Sequence, residues 1–271
     1  MAGAGVRFAE VGYTLPKPLI PVSGKPMILN VILDLPRADK WIFVVRREHV
    51  DQFGIDKLLT DAVPGARVIV DEQPIGQATT CLLAREHIEP DDQLLIAGCD
   101  NGYLFDKNKY ESLLADPTID AVVWTFTERD TLRRKPEAWG WHLLESDGQT
   151  IERVQVKIPV SNDPFHDHAV VATFTFKRAA DFFAAADAMI ARGDKTKNEY
   201  YVDSIPNYLR EMGKRSVVFD VGLYVGWGKP DDLHEYEYME YVARHGGVML
   251  SEEQKRLLPL WQQYFAQASR L

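Results

Sequence analysis

Gly3-Ala4-Gly5-Val6-Arg7-Phe8, followed after a short loop by Pro16-Lys17-Pro18-Leu19-Ile20-Pro21-Val22-Ser23-Gly24-Lys25-Pro26-Met27, is the most informative part of this chain. Two glycines let a backbone approach a ligand closely and turn its N–H groups toward an anion. Arg7 follows at once, and Lys17 stands between two prolines. Two fixed cations beside a Gly-rich loop suit a triphosphate and the pyrophosphate it releases. A surface turn running into a Pro-rich linker would account for the glycines alone. It leaves unexplained why Lys17 and Lys25 are both set among rigid, partly apolar neighbours. A dinucleotide-binding loop is the weaker reading, because no third glycine follows Gly5 at the needed spacing and no strand precedes the loop.

Downstream, the pattern alternates. Pro26 at a first helical position, with Met27, Ile28, Val31, Ile32 and Leu35, predicts an amphipathic helix. Residues 41–45 form a short continuous apolar run and predict a strand buried on both faces. Helix is predicted over 49–59, 78–88 and 107–114, and strand over 66–70, 93–97 and 121–126. Strands alternating with helices imply an α/β fold, a doubly wound, mainly parallel mixed sheet with helices on both faces. Ligands of such sheets lie beyond the carboxyl ends of strands. Gln73 and Asp100 both fall just after such ends.

After Trp139 the pattern changes. Residues 141–144 and 151–156 flank Ser146-Asp147-Gly148 and predict an added β-hairpin. Strands follow at 169–176 and 216–221. Helices are predicted over 178–192, over 200–212 with an interruption at Pro206, and over 231–244. Ser251 with Gln254 forms a capping box for a last helix, whose Leu257, Leu258, Trp261, Tyr264, Phe265 and Ala268 make one apolar stripe. Core packing and a homodimer contact would both satisfy that stripe. One main domain over 1–233 is expected, with a C-terminal helical segment, 234–271, packed on it.

The 271 residues are 46% hydrophobic, enough for a sizeable core. A formal net charge of −9 argues against a nucleic-acid partner. Cys81 and Cys99 are the only cysteines, which fits a reducing compartment. No apolar run is long enough for a bilayer and no signal-peptide start is present, so no membrane partner and a cytoplasmic location are expected.

Two further segments carry chemistry. Gln73-Pro74-Ile75-Gly76-Gln77-Ala78 follows a strand and opens a helix. Glutamine both donates and accepts, so Gln73 suits the edge of a base, with Gly76 leaving room for the base to approach the backbone. Cys99-Asp100-Asn101-Gly102 places a carboxylate at a strand end, where it suits Mg²⁺ held against a phosphate. His166-Asp167-His168 has metal-ligand composition but reads as a loop.

The opening stretch resembles the signature of the sugar-phosphate nucleotidylyltransferases: G-x-G-x-R-(F/L), a variable loop, then P-K-P-L-(I/L/V)-P-V-x-x-K-P-M-I. Gly3, Gly5, Arg7, Lys17 and Lys25-Pro26-Met27 match it. The resemblance extends to about Leu233, through a Q-x-x-G-x-A segment at Gln73, a G-D-N-x segment at Asp100 and an E-x-Y-x-x-D segment at Glu199. It implies that a phosphorylated small-molecule acceptor attacks the α-phosphate of an NTP, with Mg²⁺ as cofactor, and expels pyrophosphate. It implies Arg7 and Lys17 as catalytic residues. It also implies a nucleotide-binding set of Ala2, Gly3, Gly5, Gln73, Gly76 and Asp100, with Asp100 as metal ligand. Gly140, Lys157, Lys197 and Glu199 would hold the acceptor.

A sugar 1-phosphate, giving an NDP-sugar for surface polysaccharide, is the acceptor the resemblance favours. Val156 stands where the family has a Glu that contacts sugar hydroxyls, and Ile158 where it has Pro. A cytidylyltransferase for a non-sugar phosphate therefore stays open. The family's second metal-binding Asp falls on Gly226, with Asp220 nearby in sequence. A catalytically silent nucleotide-binding regulator is the reading from another class. Because a Gly-rich phosphate loop needs anchoring at both ends, the native chain is expected to begin upstream of Met1 with a short apolar strand.

Overall fold

The computed structural model describes residues 5–72, 75–246 and 249–268. Element order is α1 (Val6–Ala9), β1 (Pro21–Val22), β2 (Lys25–Pro26), α2 (Met27–Asp34), β3 (Ile42–Arg46), α3 (Arg47–Phe53), α4 (Ile55–Ala62), β4 (Arg67–Asp71) and α5 (Gln77–Leu82). Then come β5 (Leu94–Ala97), β6 (Asn101–Leu104), α6 (Lys107–Ala115), β7 (Ala121–Phe126), α7 (Asp130–Arg134), β8 (Gly140–Leu144), β9 (Ile151–Val156) and β10 (His168–Phe176). The last are α8 (Ala179–Arg192), α9 (Ile205–Glu211), β11 (Ser216–Asp220), β12 (Leu223–Gly226), α10 (Pro230–His245) and α11 (Glu252–Ala268). The chain divides into two compact units. One is built on Lys40–Gly98 and Lys107–Asp220, the other on the described residues of 4–39, Cys99–Asp106 and 221–271.

The first unit holds a six-stranded mixed sheet in the order β11-β7-β10-β8-β9, with β5 also paired to β10. β11 runs parallel to β7, whereas β10 is antiparallel to β5, β7 and β8. β5, β7 and β11 therefore share one direction, with β10 reversed among them. Every residue of β7 is buried, as a strand covered on both faces requires. On one face Val123, Phe174 and Val218 pack with Phe182 and Met189 of α8 and Ile205 and Leu209 of α9. On the other, Tyr110 of α6 meets Trp124 and Phe219, its ring centroid 5.0 and 5.5 Å from theirs. Helices thus cover both faces of a mixed sheet, as the alternation predicts. β3 and β4 form a separate parallel pair.

Three predicted helices differ in detail. The helix predicted over 49–59 is two, because Gly54 at φ 60° adopts the left-handed conformation that closes α3 before α4 opens. The helix predicted over 78–88 stops at Leu82, and Arg85–His87 is a 3₁₀ turn. Pro206 does not interrupt a helix but opens α9 from its first turn, where a missing N–H costs nothing.

The second unit packs α2, α10 and α11 with the antiparallel pair β6 and β12. Its core is aromatic. Tyr236 lies 5.6 Å from Trp227 and 5.3 Å from Phe265 between ring centroids, and Phe265 stacks on Trp261. Leu257, Trp261, Tyr264 and Phe265 are all buried, so the C-terminal stripe is core of its own chain. The capping box forms as predicted: Ser251 Oγ accepts from Gln254 N at 3.2 Å, and Gln254 Oε1 accepts from Ser251 N at 3.0 Å.

One feature of this unit has no sequence signal. The Asp34 carboxylate, at the end of α2, accepts from Tyr264 Oη of α11 at 2.6 Å and from Tyr103 N of β6 at 3.2 Å. Burial outweighs these two bonds and pushes its carboxyl up to about 7. A raised carboxyl pKa means that folding takes up a proton here. The stability this gives is complete near pH 4 and lost as pH rises to about 7. Asp34→Asn keeps an acceptor oxygen and removes the charge. It is expected to stabilise the protein at pH 8 by roughly 2 kcal/mol, less than the full linkage value because the carboxylate is partly screened by solvent. It should also flatten the fall in Tm between pH 5 and 8. Melting curves of both proteins across that range check this; parallel curves would contradict it.

Candidate functional site

Gly5 opens the described chain at φ 64°, and a Cβ there would stand 3.4 Å from Lys17 Cβ. Gly5 therefore lies directly against the residue that carries the second cation. Phe8 is buried, closes on Gly5 through Phe8 N to Gly5 O at 3.1 Å, and meets Tyr13 edge-on at 5.1 Å. That anchor leaves Arg7, one residue before it on α1, exposed. Lys17 begins a 3₁₀ turn, Lys17–Leu19, whose Pro18 and Leu19 are buried. Met27 N donates to Ile20 O at 2.9 Å and Asn30 Nδ2 to Val22 O at 2.9 Å, tying the turn to α2. The prolines and apolar residues around Lys17 thus fix its backbone in the core while its side chain emerges.

Lys17 Nζ donates to Asp100 Oδ2 at 2.7 Å, with both side chains about one-fifth exposed. Burial alone would lower the lysine pKa and nearby Arg7 opposes its charge, but the Asp100 carboxylate, with Cys99, outweighs both and holds Lys17 above its ordinary range. It is a permanent cation at neutral pH. Asp100 follows β5 as predicted. Its carbonyl accepts from Trp227 N at 2.8 Å, and a Cβ on Gly228 would come within 2.8 Å of its Oδ2. Gly5, Arg7, Lys17 and Asp100 are thus one cluster within the second unit.

The position of the expected second metal ligand is occupied otherwise. Gly226 pairs with Asn101, the neighbour of Asp100, and a Cβ on Gly226 would lie 3.0 Å from Tyr224 Oη. That hydroxyl donates to Asn101 Oδ1 at 2.9 Å. Asp220 belongs to the first unit, where it accepts from Thr127 Oγ1 at 3.0 Å and burial raises its carboxyl. His166 is exposed, 3.6 Å from Glu128, while His168 starts β10 with Nδ1 2.8 Å from Thr125 Oγ1. Among the described residues no group of three or more His, Cys, Asp or Glu could hold a metal ion. Asp100 is the carboxylate that pairs with Lys17 in this cluster. Mg²⁺ is held by one or two carboxylates together with substrate phosphates and water, and Asp100 fits that mode.

The remaining predicted residues belong to the first unit or lie outside the described residues. Ala2, Gly3 and Gln73 lie outside them. Gly76, at φ 144°, precedes α5, and a Cβ there would meet Tyr200 N at 2.7 Å and Tyr200 O at 3.0 Å. The Tyr200 backbone thus by itself requires glycine at this position. Lys197 and Asn198, at φ 49° and 66°, form the two-residue turn between Thr196 and Glu199, with Thr196 N to Glu199 O at 3.0 Å. Lys197 and Glu199 are exposed on it. Gly140 starts β8 opposite Val156, and Lys157 follows at φ 64° with Nζ donating to Ala138 O at 3.2 Å and lying 5.6 Å from the Tyr201 ring centroid. A Cβ on Gly140 would stand 2.4 Å from Asp203 Oδ2. Asp203 was within the E-x-Y-x-x-D segment, yet only the structure brings it to Gly140 and Lys157.

The MobA-like NTP transferase domain matches residues 1–191. The chain belongs to this family. Among curated relatives, the bifunctional protein GlmU of Rhodopseudomonas palustris is 26% identical over 226 residues, 81% of this chain and 46% of the relative. The chain spans less than two thirds of the length of the curated relatives it matches. Among solved structures, a nucleoside-diphosphate-sugar pyrophosphorylase from Vibrio cholerae superimposes with a TM-score of 0.69 at 18% identity, over 87% of this chain and 96% of that one. The inositol-1-phosphate CTP transferase of T. maritima does so with 0.68 at 16% identity, over 91% and 95%. At such identities these structures share the fold. The Lys17–Asp100 pair lies within the stretch that the family match covers. No helix among the described residues is long and apolar enough to cross a membrane.

Proposed function

We propose that the protein transfers a nucleotidyl group from an NTP to a phosphorylated small-molecule acceptor. The observation that carries this is the Lys17–Asp100 pair beside Gly5 in an NTP transferase domain. A phosphate oxygen of the acceptor attacks the α-phosphorus in line. The bond from that phosphorus to the bridging oxygen breaks, and pyrophosphate leaves with its electron pair. Catalysis here is positioning and charge stabilisation. Lys17 has three N–H donors and gives one to Asp100, so two can serve phosphate oxygens. Arg7, exposed beside it, adds a second cation. Mg²⁺, held by Asp100, would neutralise phosphate charge. We assign the nucleotide to Gly3, Gly5, Ala2, Gln73, Gly76 and Asp100, and the acceptor to Gly140, Lys157, Lys197 and Glu199. The free thiols of Cys81 and Cys99 fit a cytoplasmic setting.

A sugar 1-phosphate is the favoured acceptor, giving an NDP-sugar. A non-sugar alcohol phosphate is the second reading, favoured by Val156 in place of a carboxylate and by the likeness in fold to an inositol-1-phosphate CTP transferase. The test is each NTP against a panel of sugar 1-phosphates, polyol phosphates and amino-alcohol phosphates, with products identified by mass. A new diphosphate ester from one class is expected. NTP consumption without any such ester would contradict the proposal.

A further inference from the structure

Asp100 is held from two sides within the second unit. Trp227 N donates to its carbonyl at 2.8 Å. Two residues on, Gly102 lies against a hydroxyl–carboxylate pair: a Cβ there would be 2.6 Å from Tyr264 Oη and 2.4 Å from Asp34 Oδ2. The Tyr264 hydroxyl donates to Asp34 Oδ2 at 2.6 Å, and the same oxygen accepts from Tyr103 N at 3.2 Å. β6 pairs with β12 in a two-stranded sheet, so Asp34 serves the edge of β6 that has no strand neighbour among the described residues. Asp34 also ends α2. The start of α2 is tied to the turn of Lys17 through Met27 N to Ile20 O and Asn30 Nδ2 to Val22 O, both at 2.9 Å. One carboxylate therefore joins the helix that follows Lys17 to the strand that follows Asp100. Tyr264, 4% exposed, reaches it from α11, which lies outside the residues 1–191 that the family match covers.

We propose that Tyr264 is a positioning residue for nucleotidyl transfer: its hydroxyl holds the Asp34 carboxylate against β6 and so sets the spacing between Lys17 and Asp100. This inference rests on the function proposed above and adds the C-terminal helix to the machinery of that reaction. Lys17 and Asp100 meet at 2.7 Å, and a charged hydrogen bond of that length tolerates little displacement. β6 follows Asp100 directly, so a shift at Tyr103 carries Asp100 with it. Packing holds the rest of the arrangement in place. Trp227 is fully buried beside Gly102, and the Tyr264 ring meets those of Phe265 and Trp261 at centroid distances of 5.6 and 6.2 Å. The ring is thus held by its own helix, which leaves the hydroxyl to hold Asp34. Asp34 is half-buried, so without this donor its carboxylate has water to turn to, and Tyr103 N loses its acceptor.

The test uses the full chain. Tyr264→Phe removes the hydroxyl and keeps the ring. At a temperature where this variant is fully folded, its kcat is expected to fall by about tenfold with the KM for NTP within about twofold, as when a group that orients a metal ligand is removed. Mn²⁺ affinity, read by electron paramagnetic resonance with the α,β-methylene analogue of each NTP, should fall by about the same factor. Asp34→Ala breaks the same link and should reproduce both losses, and adding Tyr264→Phe to it should cost little more. Asp34→Asn, whose amide oxygen can accept both bonds, should recover most of the rate. Tyr264→Phe with a lowered Tm but unchanged kcat and Mn²⁺ affinity would overturn the inference, since a bond that only stabilises the fold gives that result. So would Asp34→Asn as slow as Asp34→Ala, which would make the charge and not the two bonds responsible. Should Asp34→Ala fail to fold, Tyr264→Phe and Asp34→Asn decide by themselves: loss in the first with rate kept in the second supports the inference, and any other pairing overturns it. Absence of transfer to any acceptor by the unaltered protein would overturn the functional reading and this inference together; normal transfer with Tyr264→Phe unaffected would overturn this inference alone.

Discussion

Lys17→Ala is expected to lower kcat by about a hundredfold to a thousandfold while weakening NTP binding far less, the pattern of a donor aimed at charge that grows in the transition state. The magnitude follows from what the side chain does. Its ammonium is held in place by Asp100 at 2.7 Å and by a backbone turn buried at Pro18 and Leu19. Preorganised in this way, it needs no reorientation as the leaving pyrophosphate gains charge. Alanine removes the cation and leaves the Asp100 carboxylate uncompensated beside a polyanion, so the loss exceeds that of one hydrogen bond. Because Lys17 is held above its ordinary pKa range, its own titration should not shape the rate between pH 6 and 9. Single-turnover rates at saturating NTP, with NTP affinity measured separately, check the split. A kcat within a few-fold of the unaltered protein would reject Lys17 as the catalytic cation.

Gly102→Ala is expected to destabilise the fold by about 3–5 kcal/mol, the sum of overpacking and a disturbed charged hydrogen bond. A Cβ at 102 would stand 2.4 Å from Asp34 Oδ2, 2.6 Å from Tyr264 Oη and 2.8 Å from Trp227 Cη2. Normal contact needs a further angstrom in each direction. Retreat is closed off, since Trp227 is fully buried and Asp34 and Tyr264 are bonded to each other. The glycine lies two residues after Asp100, so part of the cost should also appear as lost activity at temperatures where the protein stays folded. Urea unfolding with kinetics at 15 °C below the variant's Tm measures both. A change in stability under about 1 kcal/mol would show that α2 or α11 yields more easily than this packing implies.

The sequence made the first unit largely legible. Residues 121–126 and 94–97 are continuous apolar runs bounded by turn residues, and such runs have few alternatives to a buried strand. β6 and β12 were not legible. Asn101-Gly102-Tyr103-Leu104 and Leu223-Tyr224-Val225-Gly226 are short and broken by glycine, and each acquires its strand only by pairing with the other across more than a hundred residues. The reversal of β10 among parallel strands is likewise a matter of connection, which periodicity does not encode. Pro206 was visible as punctuation and Gly54 was passed over, and whether each ends or starts a helix depends on the backbone angle it takes.

The candidate site divides in the same way. Lys17 and Asp100 were legible because rigid neighbours and a strand end give them fixed positions. Asp203 was not, because its signal is an empty space: Gly140 has no side chain, and only the fold shows which carboxylate fills the gap. The pairing of Asp34 with Tyr264 left no trace, since an acid 230 positions from its hydroxyl partner looks like any surface residue in sequence.

Pyrophosphate release, followed in real time with Mg²⁺ and NTP present and the acceptor added last, tests the transfer most directly. Release should be negligible before the acceptor is added. On addition it should begin at once and match the diphosphate ester formed mole for mole, and it should fall by about a hundredfold or more in Lys17→Ala. Pyrophosphate release at the same rate without acceptor, or acceptor-dependent release unchanged in Lys17→Ala, would contradict the account.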